Sequence, residues 1–243
     1  FEFFNFESIQ SLIPKYNKIL LIYDDNIYNY YKLQIDLLPY YKYKIEPGES
    51  SKILKTKLEI EDFMFSNNFN KKSCLIALGG GVVGDLTGFI ASTFMRGIDF
   101  YQVPTTLLAM VDSSIGGKTG IDNKWGKNLI GSFYLPKKIL CDINFLNTLK
   151  EEEFVNGLAE VIKTAIVANP KLWKFLNNHN FKSIYQNSSN LKKMIDMTAK
   201  TKLGIVNQDF DEKLNHRHIL NLGHTIGHAL EALTLEKHGY CVA

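Results

Sequence analysis

The sequence has 243 residues, with 28 basic and 25 acidic side chains and a formal net charge of +3. With 45% hydrophobic and 22% charged residues, the composition is that of a globular protein with enough chain for one large or two small domains. The near-neutral charge argues against a nucleic-acid-binding surface or a polybasic membrane patch, and no apolar run is long enough to suggest a membrane span.

Cysteine and arginine are informative because they are few. The three cysteines, Cys74, Cys141 and Cys241, have no paired spacing, so we expect neither a disulfide framework nor a thiolate zinc site, and we expect a cytoplasmic location. Arg96 and Arg217 are the only arginines among the 28 basic residues. Both are therefore candidates for sites that need a planar, five-donor fork.

Short apolar runs alternate with helical patterns through residues 1–149. Strands are predicted at 18–23, 41–45, 74–78 and 99–103, and helices at 52–67, at 82–94 and from residue 105 onward. Residues 24–26 are predicted to form a turn. This alternation predicts an α/β domain with a largely parallel sheet.

Residues 150–243 have helical periodicity only. Helices are predicted at 151–168, from Pro170, at 191–206 and at 218–237, with a polar loop at 177–190. This pattern predicts an all-α second domain beyond a boundary near residue 149. The chain begins without Met and ends on the apolar Val242 and Ala243 with no helix stop signal, so we expect a fragment with an incomplete second domain.

The segment Gly79–Gly84 matches the dinucleotide-binding pattern G-x-G-x-x-G between a predicted strand and a predicted helix. Glycines let the backbone approach a pyrophosphate, whose charge the free N–H groups of the helix N-terminus would bind. A tight turn without a ligand is the alternative interpretation. Asp99 precedes the next strand instead of ending it, so a ribose-binding acid would come from elsewhere, with Asp24 as a candidate.

Residues 111–119 do not form a Walker A loop, although they contain Gly-Gly-Lys-Thr. The position that requires glycine holds Asp112, which would oppose a phosphate. What remains is Lys118 beside two glycines, with Lys127 and Asn128 further along the chain. For any one of these lysines, a solvated surface position is the alternative.

The C-terminal region is rich in histidine. His224 and His228 are four residues apart on a predicted helix and share one of its faces. Two glycines in the same segment each cost about 1 kcal/mol relative to alanine, which makes sense where a ligand or a neighbouring helix approaches closely. Together with Glu160 on another helix, two histidines would make a zinc site with an open position. Spacing alone does not decide which two histidines bind.

Five segments, taken in chain order, carry a family resemblance. They are Gly79–Gly88 (GGGVVGDLTG), Pro104–Asp122 (PTTLLAMVDSSIGGKTGID), Gly126–Gly131 (GKNLIG), Gly157–Lys163 (GLAEVIK) and Asn221–His228 (NLGHTIGH). Together they resemble the 3-dehydroquinate synthase family. The second and third segments are most similar to the first domain of the fungal pentafunctional arom polypeptide, which would be fused to later shikimate-pathway domains.

The resemblance implies a dehydroquinate synthase-like fold, with an NAD-binding α/β domain at 1–149 and a helical metal-binding domain at 150–243. It implies a phosphorus–oxygen lyase of the shikimate pathway, which leads to aromatic amino acids. The reaction would convert 3-deoxy-D-arabino-heptulosonate 7-phosphate to 3-dehydroquinate and phosphate. Its steps would be transient oxidation by NAD, phosphate elimination, reduction and intramolecular aldol closure. The metal would be Zn2+ or another divalent ion such as Co2+.

The resemblance also assigns roles by motif position. The metal ligands would be Glu160, His224 and His238, which leaves His228 to face the substrate. The NAD pocket would be formed by Asp24, Glu49, Lys52, Gly80, Gly81, Asp85, Thr105, Thr106, Leu108, Lys127, Phe145 and Thr148. The other substrate contacts would be Asp112, Lys118, Asn128, Lys163, Lys202, Glu212, Arg217 and Asn221. Arg96 would reach the phosphate bound to the partner subunit, which implies a homodimer.

The chain departs from the family pattern in two places. His238-Gly239-Tyr240 stands where the family has His-Gly-Glu, which would remove an acceptor beside His238 and weaken metal binding. Between Lys202 and Arg217 the chain is one residue longer than the usual spacing, which affects the assignment of Lys202 and Glu212. Because the rest of the helical domain, with further substrate contacts, would lie beyond Ala243, we expect the 243-residue chain alone to have impaired activity.

Three alternatives to this function stay open. A related sugar-phosphate cyclase would differ in only a few substrate contacts. An NAD- and metal-dependent polyol or glycerol dehydrogenase would share the glycine turn and the metal site. Its neutral substrate would not need the cations Lys118, Lys163, Lys202 and Arg217. A catalytically inactive remnant that serves in folding or dimer contact is the third, suggested by Tyr240 and the truncation.

Overall fold

The computed structural model describes residues 1–13, 16–234 and 236–242, and it leaves the side chains of Leu12, His228 and Ala232 undescribed. The chain forms two compact units. The first consists of Phe1–Thr105 and Gly117–Asp142, and the second of Thr106–Gly116 and Ile143–Ala243. Among the described residues, no helix combines the length and the apolar character needed to cross a bilayer.

The first unit contains strands and helices in alternation. Its strands are β1 (Glu2–Phe3), β2 (Ile19–Asp24), β3 (Tyr41–Ile45), β4 (Cys74–Gly79), β5 (Asp99–Pro104), β6 (Lys118–Asn123), β7 (Gly126–Phe133) and β8 (Leu140–Cys141). Its α-helices are α1 (Ile9–Leu12), α2 (Asp25–Leu37), α3 (Leu54–Ser66) and α4 (Gly81–Thr93). Four strands pair in parallel in the order β3-β2-β4-β5. The predicted α/β domain with a largely parallel sheet is confirmed.

The central strands of this sheet are buried along most of their length. In β4 every residue from Cys74 to Gly79 is buried, as expected for a parallel strand covered on both faces. Such strands appear in the sequence as continuous apolar runs, which is why their predicted bounds differ from the structure by at most one residue. The carboxyl ends of β2, β4 and β5 lie at one edge of the sheet, where open α/β sheets bind ligands.

Helix α2 was not predicted, and residues 24–26 begin this helix instead of forming a turn. The carboxylate of Asp24 caps the helix by accepting a hydrogen bond from the backbone N–H of Ile27. Several apolar side chains of α2 are exposed, including Leu33 and Leu37. Asp and Asn are favoured both in turns and at helix N-caps, so residues 24–26 alone do not distinguish a turn from the start of a helix.

The strands β6 and β7 form a hairpin that the sequence did not predict, and it contains Lys118, Lys127 and Asn128. The two strands are antiparallel, and Gly120 lies opposite Gly131 in the pairing. A Cβ on Gly120 would lie 2.8 Å from the carbonyl oxygen of Ile130, so the close approach of the backbones requires glycine there. Lys118 is the first residue of β6 and is exposed.

The second unit is helical. Its α-helices are α5 (Glu151–Ala168), α6 (Pro170–Asn177), α7 (Phe181–Tyr185), α8 (Ser188–Gln208), α9 (His224–Thr234) and α10 (His238–Val242). Shorter helical turns occupy Ala109–Ser113, Ile143–Thr148 and His216–Asn221. The all-α character is confirmed. The turn Ala109–Ser113 packs against α5 and α8, so residues 106–116 group with the second unit, whereas the sequence suggested one boundary near residue 149.

Two stretches of this unit differ from prediction. The expected loop at 177–190 contains α7 and the start of α8, because the side chains of Asn180 and Asn187 cap these helices. The expected helix at 218–237 is interrupted at Gly223, which has a φ of +79°. That left-handed conformation ends the preceding turn, and α9 begins at the next residue.

Candidate active site

Three residues of the second unit form a group with the composition of a metal site. Glu160 lies on α5, His224 is the first residue of α9 and His238 is the first residue of α10. One ligand atom from each lies within 4.8 Å of the others. The Nε2 atom of His238 is 3.5 Å from Oε1 of Glu160, and Nε2 of His224 is 3.9 Å from the same oxygen. The side chain of His228 lies outside the described residues, although its backbone belongs to α9.

The carboxylate of Glu160 fits a bound cation. Its side chain is 1% exposed, and its Oε1 atom is buried without a hydrogen-bond donor. The other oxygen, Oε2, accepts a hydrogen bond from Lys163. A buried carboxylate oxygen without a partner is costly, and a divalent ion facing two imidazoles would remove that cost. The residues present therefore match a catalytic zinc site of two histidines and one carboxylate.

Each histidine of this group has a partner for its second ring nitrogen. Nδ1 of His224 is 3.1 Å from the carbonyl oxygen of Leu222, and Nδ1 of His238 is 3.3 Å from Oε2 of Glu231. Burial lowers the pKa of His224 and so favours the neutral imidazole that binds metals. The nearby Glu160 carboxylate, whose Oε1 is 3.5 Å from Nε2 of His238, raises the pKa of His238. Both rings thus present Nε2 to the buried carboxylate.

A second polar pair joins α8 to the turn Ala109–Ser113. Nζ of Lys202 is 2.5 Å from Oδ1 of Asp112 and 2.9 Å from the carbonyl oxygen of the same residue. Burial alone would raise the pKa of Asp112, but the charges of Lys202 and Lys163 hold it well below its usual range. Burial also lowers the pKa of Lys202, against the attraction of Asp112. Lys163, Lys202 and Asp112, all predicted substrate contacts, therefore influence one another electrostatically.

Arg217 is buried in the same unit, with 3% of its surface exposed. Its Nη1 donates to the carbonyl oxygen of Phe210 at 2.7 Å, and its Nε is 3.3 Å from Oε1 of Glu212. A Cβ on Gly116 would lie 2.7 Å from Nη2 of Arg217, and Gly116 has a φ of +113°. The guanidinium is thus held by a backbone carbonyl and by Glu212. Asn221, another predicted substrate contact, is exposed at the end of the turn His216–Asn221.

In the first unit, the glycine turn joins β4 to α4. Gly80 is the N-cap of α4, and the N–H of Gly84 donates to its carbonyl oxygen at 3.0 Å. A Cβ on Gly84 would lie 2.6 Å from Oε1 of Gln102, so the last glycine of the pattern lets α4 pack closely against a side chain of β5. The first glycines stand at a helix N-terminus, where backbone N–H groups bind anions.

Beside this turn, the side chain of Lys52 contacts several polar residues. Its side chain is 4% exposed, and its Nζ is 2.6 Å from Oδ2 of Asp85 and 2.5 Å from Oδ1 of Asn128. Glu49 lies 3.7 Å away. Burial alone would lower the pKa of Lys52, but Asp85 and Glu49 raise it above its ordinary value. Asn128, assigned by resemblance to the substrate, therefore lies among residues assigned to the cofactor.

The other residues assigned to the cofactor lie in both units. Thr105 is buried after β5, and its N–H donates to the carbonyl oxygen of Gly79. Asp24 ends β2 at the same sheet edge, and burial raises its pKa. Lys127 is exposed on β7. In the second unit, the hydroxyl of Thr106 accepts a hydrogen bond from the N–H of Ala109, the residue after Leu108, and the hydroxyl of Thr148 donates to the carbonyl oxygen of Phe145.

Arg96 is exposed in the turn between α4 and β5. Three consecutive residues here have positive φ: Met95 at 52°, Arg96 at 64° and Gly97 at 111°. Non-glycine residues adopt this conformation only at an energetic cost, which commonly marks functional positions.

Sequence reasoning missed two residues of the second unit. Glu231 faces His238, and Asn156 accepts a hydrogen bond from the N–H of Gly239 at 2.6 Å. Glu231 is seven residues after His224, a spacing that places both on one face of a helix, so periodicity offered a signal. Asn156 offered none, because its partner lies 83 residues away in the chain.

Two solved structures are similar to the chain. One is a 2-deoxy-scyllo-inosose synthase complexed with carbaglucose-6-phosphate, NAD+ and Co2+, with a TM-score of 0.87 and 27% identity; the similarity covers 98% of this chain and 67% of that one. The other is a 2-epi-5-epi-valiolone synthase from Streptomyces hygroscopicus subsp. jinggangensis 5008 with NAD+ and Zn2+ bound. Its TM-score is 0.87 and its identity 26%, covering 97% of this chain and 69% of that one.

Two family models and a curated relative also match the chain. The model of the 3-dehydroquinate synthase N-terminal part matches residues 42–156, and that of the C-terminal part matches residues 157–243. A 3-dehydroquinate synthase from Alkaliphilus metalliredigens (strain QYMF) is 44% identical over 222 residues, which make up 90% of this chain and 62% of the relative. The chain thus spans less than two thirds of that relative's length. It belongs to the 3-dehydroquinate synthase family.

Proposed function

We propose that the protein converts 3-deoxy-D-arabino-heptulosonate 7-phosphate to 3-dehydroquinate and phosphate. The observation that carries this proposal is the group of Glu160, His224 and His238 in the same unit as the buried cations Lys163, Lys202 and Arg217. A carboxylate–imidazole metal site suits a hydroxyl that must be oxidised, and buried cations suit a substrate with both a carboxylate and a phosphate.

NAD, when bound, supplies reversible hydride transfer, and a divalent ion, Zn2+ or Co2+, supplies Lewis acidity at a substrate oxygen. The residues of the chain hold and orient these groups. Nε2 of His224 and of His238 and Oε1 of Glu160 would bind the ion. The ammonium of Lys163, held by Glu160, would place a positive charge beside it.

The substrate contacts carried over from the family belong to this proposal. They are Asp112, Lys118, Asn128, Lys163, Lys202, Glu212, Arg217, Asn221 and His228. Charge-assisted hydrogen bonds from lysine and arginine are among the strongest available for carboxylate and phosphate groups. The contact of Lys52 with Asn128 supports a second assignment for Asn128, as an anchor for the cofactor-side cluster.

NAD would bind at the carboxyl edge of the parallel sheet. Gly80 and Gly81 would receive the pyrophosphate at the start of α4, and the carboxylate of Asp85, paired with Lys52, would accept a hydrogen bond from a ribose hydroxyl. The remaining contacts would be Asp24, Glu49, Lys52, Thr105, Thr106, Leu108, Lys127, Phe145 and Thr148.

The proposal extends to assembly. The protein would act as a cytoplasmic homodimer, with Arg96 reaching a phosphate bound to the partner subunit, as the family resemblance implies. The exposure of Arg96 and the positive φ angles around it support this role. The similarity of two segments to the arom polypeptide suggests that later shikimate-pathway domains are fused to this one.

The test is phosphate release from the heptulosonate phosphate by the full-length protein with NAD and zinc. A related sugar-phosphate cyclase is the second candidate, favoured by the similarity to the inosose and valiolone synthases. Release of phosphate with formation of 3-dehydroquinate would support the first candidate, and formation of a different carbocycle the second. No phosphate release, together with steady accumulation of NADH on glycerol, would instead identify a dehydrogenase.

A further inference from the structure

We propose that Glu231 is the positioning residue that holds His238 in the orientation needed to bind the metal. It would take the part of the acid that the family pattern has at position 240, where this chain has Tyr240. This inference rests on the proposed metal site and adds to it a residue to which no role was assigned.

The geometry around His238 supports this role. Its Nε2 faces the buried Oε1 of Glu160 at 3.5 Å, while its Nδ1 faces Oε2 of Glu231 at 3.3 Å. Both side chains are largely shielded, with 24% of His238 and 16% of Glu231 exposed. The imidazole thus lies between two carboxylates, one on the metal side and one behind it. Metal-binding histidines almost always donate their other N–H to such an acceptor.

The placement of Glu231 is fixed by the packing of two short helices. Glu231 is two turns after His224 on α9, so a single helix supplies one ligand and the partner of the other. A Cβ on Gly227 would come within 3.1 Å of the carbonyl oxygen of Cys241. Glycine at this position therefore allows α9 and α10 to pack closely against each other. Because α10 has only five residues and begins at His238, it depends on such contacts for its orientation.

The two histidines differ in how they are held. Nδ1 of His224 lies against a backbone carbonyl, that of Leu222, which no side-chain substitution removes. Nδ1 of His238 lies against a side chain. Tyr240, which stands in place of the family acid, is 49% exposed and has no acceptor comparable with a carboxylate. Glu231 is therefore the residue at which the orientation of a ligand can be tested by substitution.

The experiment measures zinc affinity directly in metal-free protein, by competition with a chromophoric chelator. Metal binding typically weakens 10–100-fold when such a partner is removed, so we expect about that increase in Kd for E231A. E231Q keeps an acceptor oxygen but loses the charge, so its increase should be smaller. The matched control is E236Q, which removes the charge of an exposed nearby glutamate and should leave the Kd unchanged.

Cobalt provides a second readout that does not depend on activity. The visible absorption of bound Co2+ should change in E231A and stay as in the wild type in E236Q, because only the first variant alters the orientation of a ligand. A Kd for E231A within twofold of the wild-type value, or an equal loss in E236Q, would overturn the assignment. If E231A fails to fold, as judged by thermal unfolding without metal, the Kd of E231Q decides in the same way.

The outcomes also separate this inference from the proposed function. Absence of zinc binding in the wild-type protein would overturn the metal site itself. Tight zinc binding that is equal in the wild type and in E231A would leave the metal site in place and overturn only the role of Glu231.

Discussion

Each of the two units buries a lysine against an aspartate, and the two pairs differ in their surroundings. In the first unit, Lys52 is 2.6 Å from Asp85, and in the second, Lys202 is 2.5 Å from Asp112. Lys52 has further acceptors in Glu49 and Asn128, and its pKa is raised. The pKa of Lys202 is lowered by burial, with Lys163 adding a repulsive charge.

This difference indicates two uses of a buried ammonium group. In the first unit, two carboxylates, those of Asp85 and Glu49, surround the single ammonium of Lys52. The charge of this lysine is therefore balanced within the protein, and the cluster stabilises the structure beside the glycine turn. In the second unit, Lys202 is paired with Asp112, and Lys163 with Glu160. The two ammonium groups repel each other in a region of low exposure, so an incoming anion would relieve that repulsion. The second pair is therefore the one suited to substrate binding, and the comparison can be tested by disturbing each unit separately.

The largest effect is expected from His224→Ala. Loss of one of three ligands should remove bound zinc from the second unit, while NAD affinity should stay near the wild-type value because the glycine turn belongs to the first unit. Phosphate release should fall about 100-fold or more, since Lewis-acid stabilisation is worth several kcal/mol. Metal analysis and NAD titration check both points, with His218→Ala, at an exposed histidine, as control. Stoichiometric zinc in the variant would refute the ligand assignment.

The next largest effect is expected on the free energy of unfolding when each ion pair is broken, by Asp112→Asn in the second unit and by Asp85→Asn in the first. The first leaves Lys202 buried without a carboxylate and should lower the free energy of unfolding by about 3–5 kcal/mol. The second should cost about 1–2 kcal/mol, because Lys52 keeps Glu49 and Asn128. Urea unfolding of both variants gives the two values. Equal losses would mean that the pairs do not differ as described.

A smaller effect is expected from overpacking the glycine turn with Gly84→Ala. The new Cβ would lie 2.6 Å from Oε1 of Gln102, whose buried side chain must shift. The cost of overpacking, about 1–3 kcal/mol, is partly offset by about 0.5–1 kcal/mol of helix propensity in α4, so we expect a net loss of about 1 kcal/mol in stability. Gly204→Ala is the matched control in the second unit, because a Cβ there meets nothing within 4 Å and the site is inside α8. It should stabilise by about 0.5–1 kcal/mol. Thermal unfolding tests both, and a stabilising Gly84→Ala would contradict the packing role.

The smallest effect is expected in the pH dependence of stability, and it arises from Asp112 in the second unit. Burial alone would raise the pKa of Asp112, but Lys202 and Lys163 hold it below its ordinary value of about 3.9. A carboxyl with a lowered folded pKa contributes stability that is fully present above its unfolded value and is lost as the pH falls toward the folded pKa. The stability difference between wild type and Asp112→Asn should therefore be constant above about pH 5 and shrink below about pH 4. A difference unchanged at about pH 3 would contradict this sign.

The sequence predicted features that depend on local patterns. Continuous apolar runs gave the strands β2 and β4, and helical periodicity gave α5 at its observed bounds, Glu151–Ala168. The family resemblance gave the group of Glu160, His224 and His238. The predictions of strands and helices succeeded because each depends on residues close in the chain. The three residues of the motif lie close together in the structure, and their binding of a metal stays a prediction.

Features that depend on distant partners were not predicted. Asn128 lies with Lys52, 76 residues away, and no local pattern links them. The break at Gly223 depends on a left-handed backbone conformation that the helical periodicity of 218–237 conceals. The second acceptor of His238 depends on how α9 and α10 pack, so the sequence suggested only that the family acid was absent.

The contact of Asn156 with Gly239 bears on the order in which the protein matures. It joins α5 to α10 across 83 residues, so the proposed metal ligands Glu160 and His238 cannot meet until α10 has been synthesised. The cluster around Lys52 is complete once Asn128 has been made, much earlier on the ribosome. A metal bound by Glu160 and His238 would close a long loop, and its binding energy would become folding energy for the helical unit. Zinc supply would therefore govern the late stage of biogenesis, after the sheet has already formed.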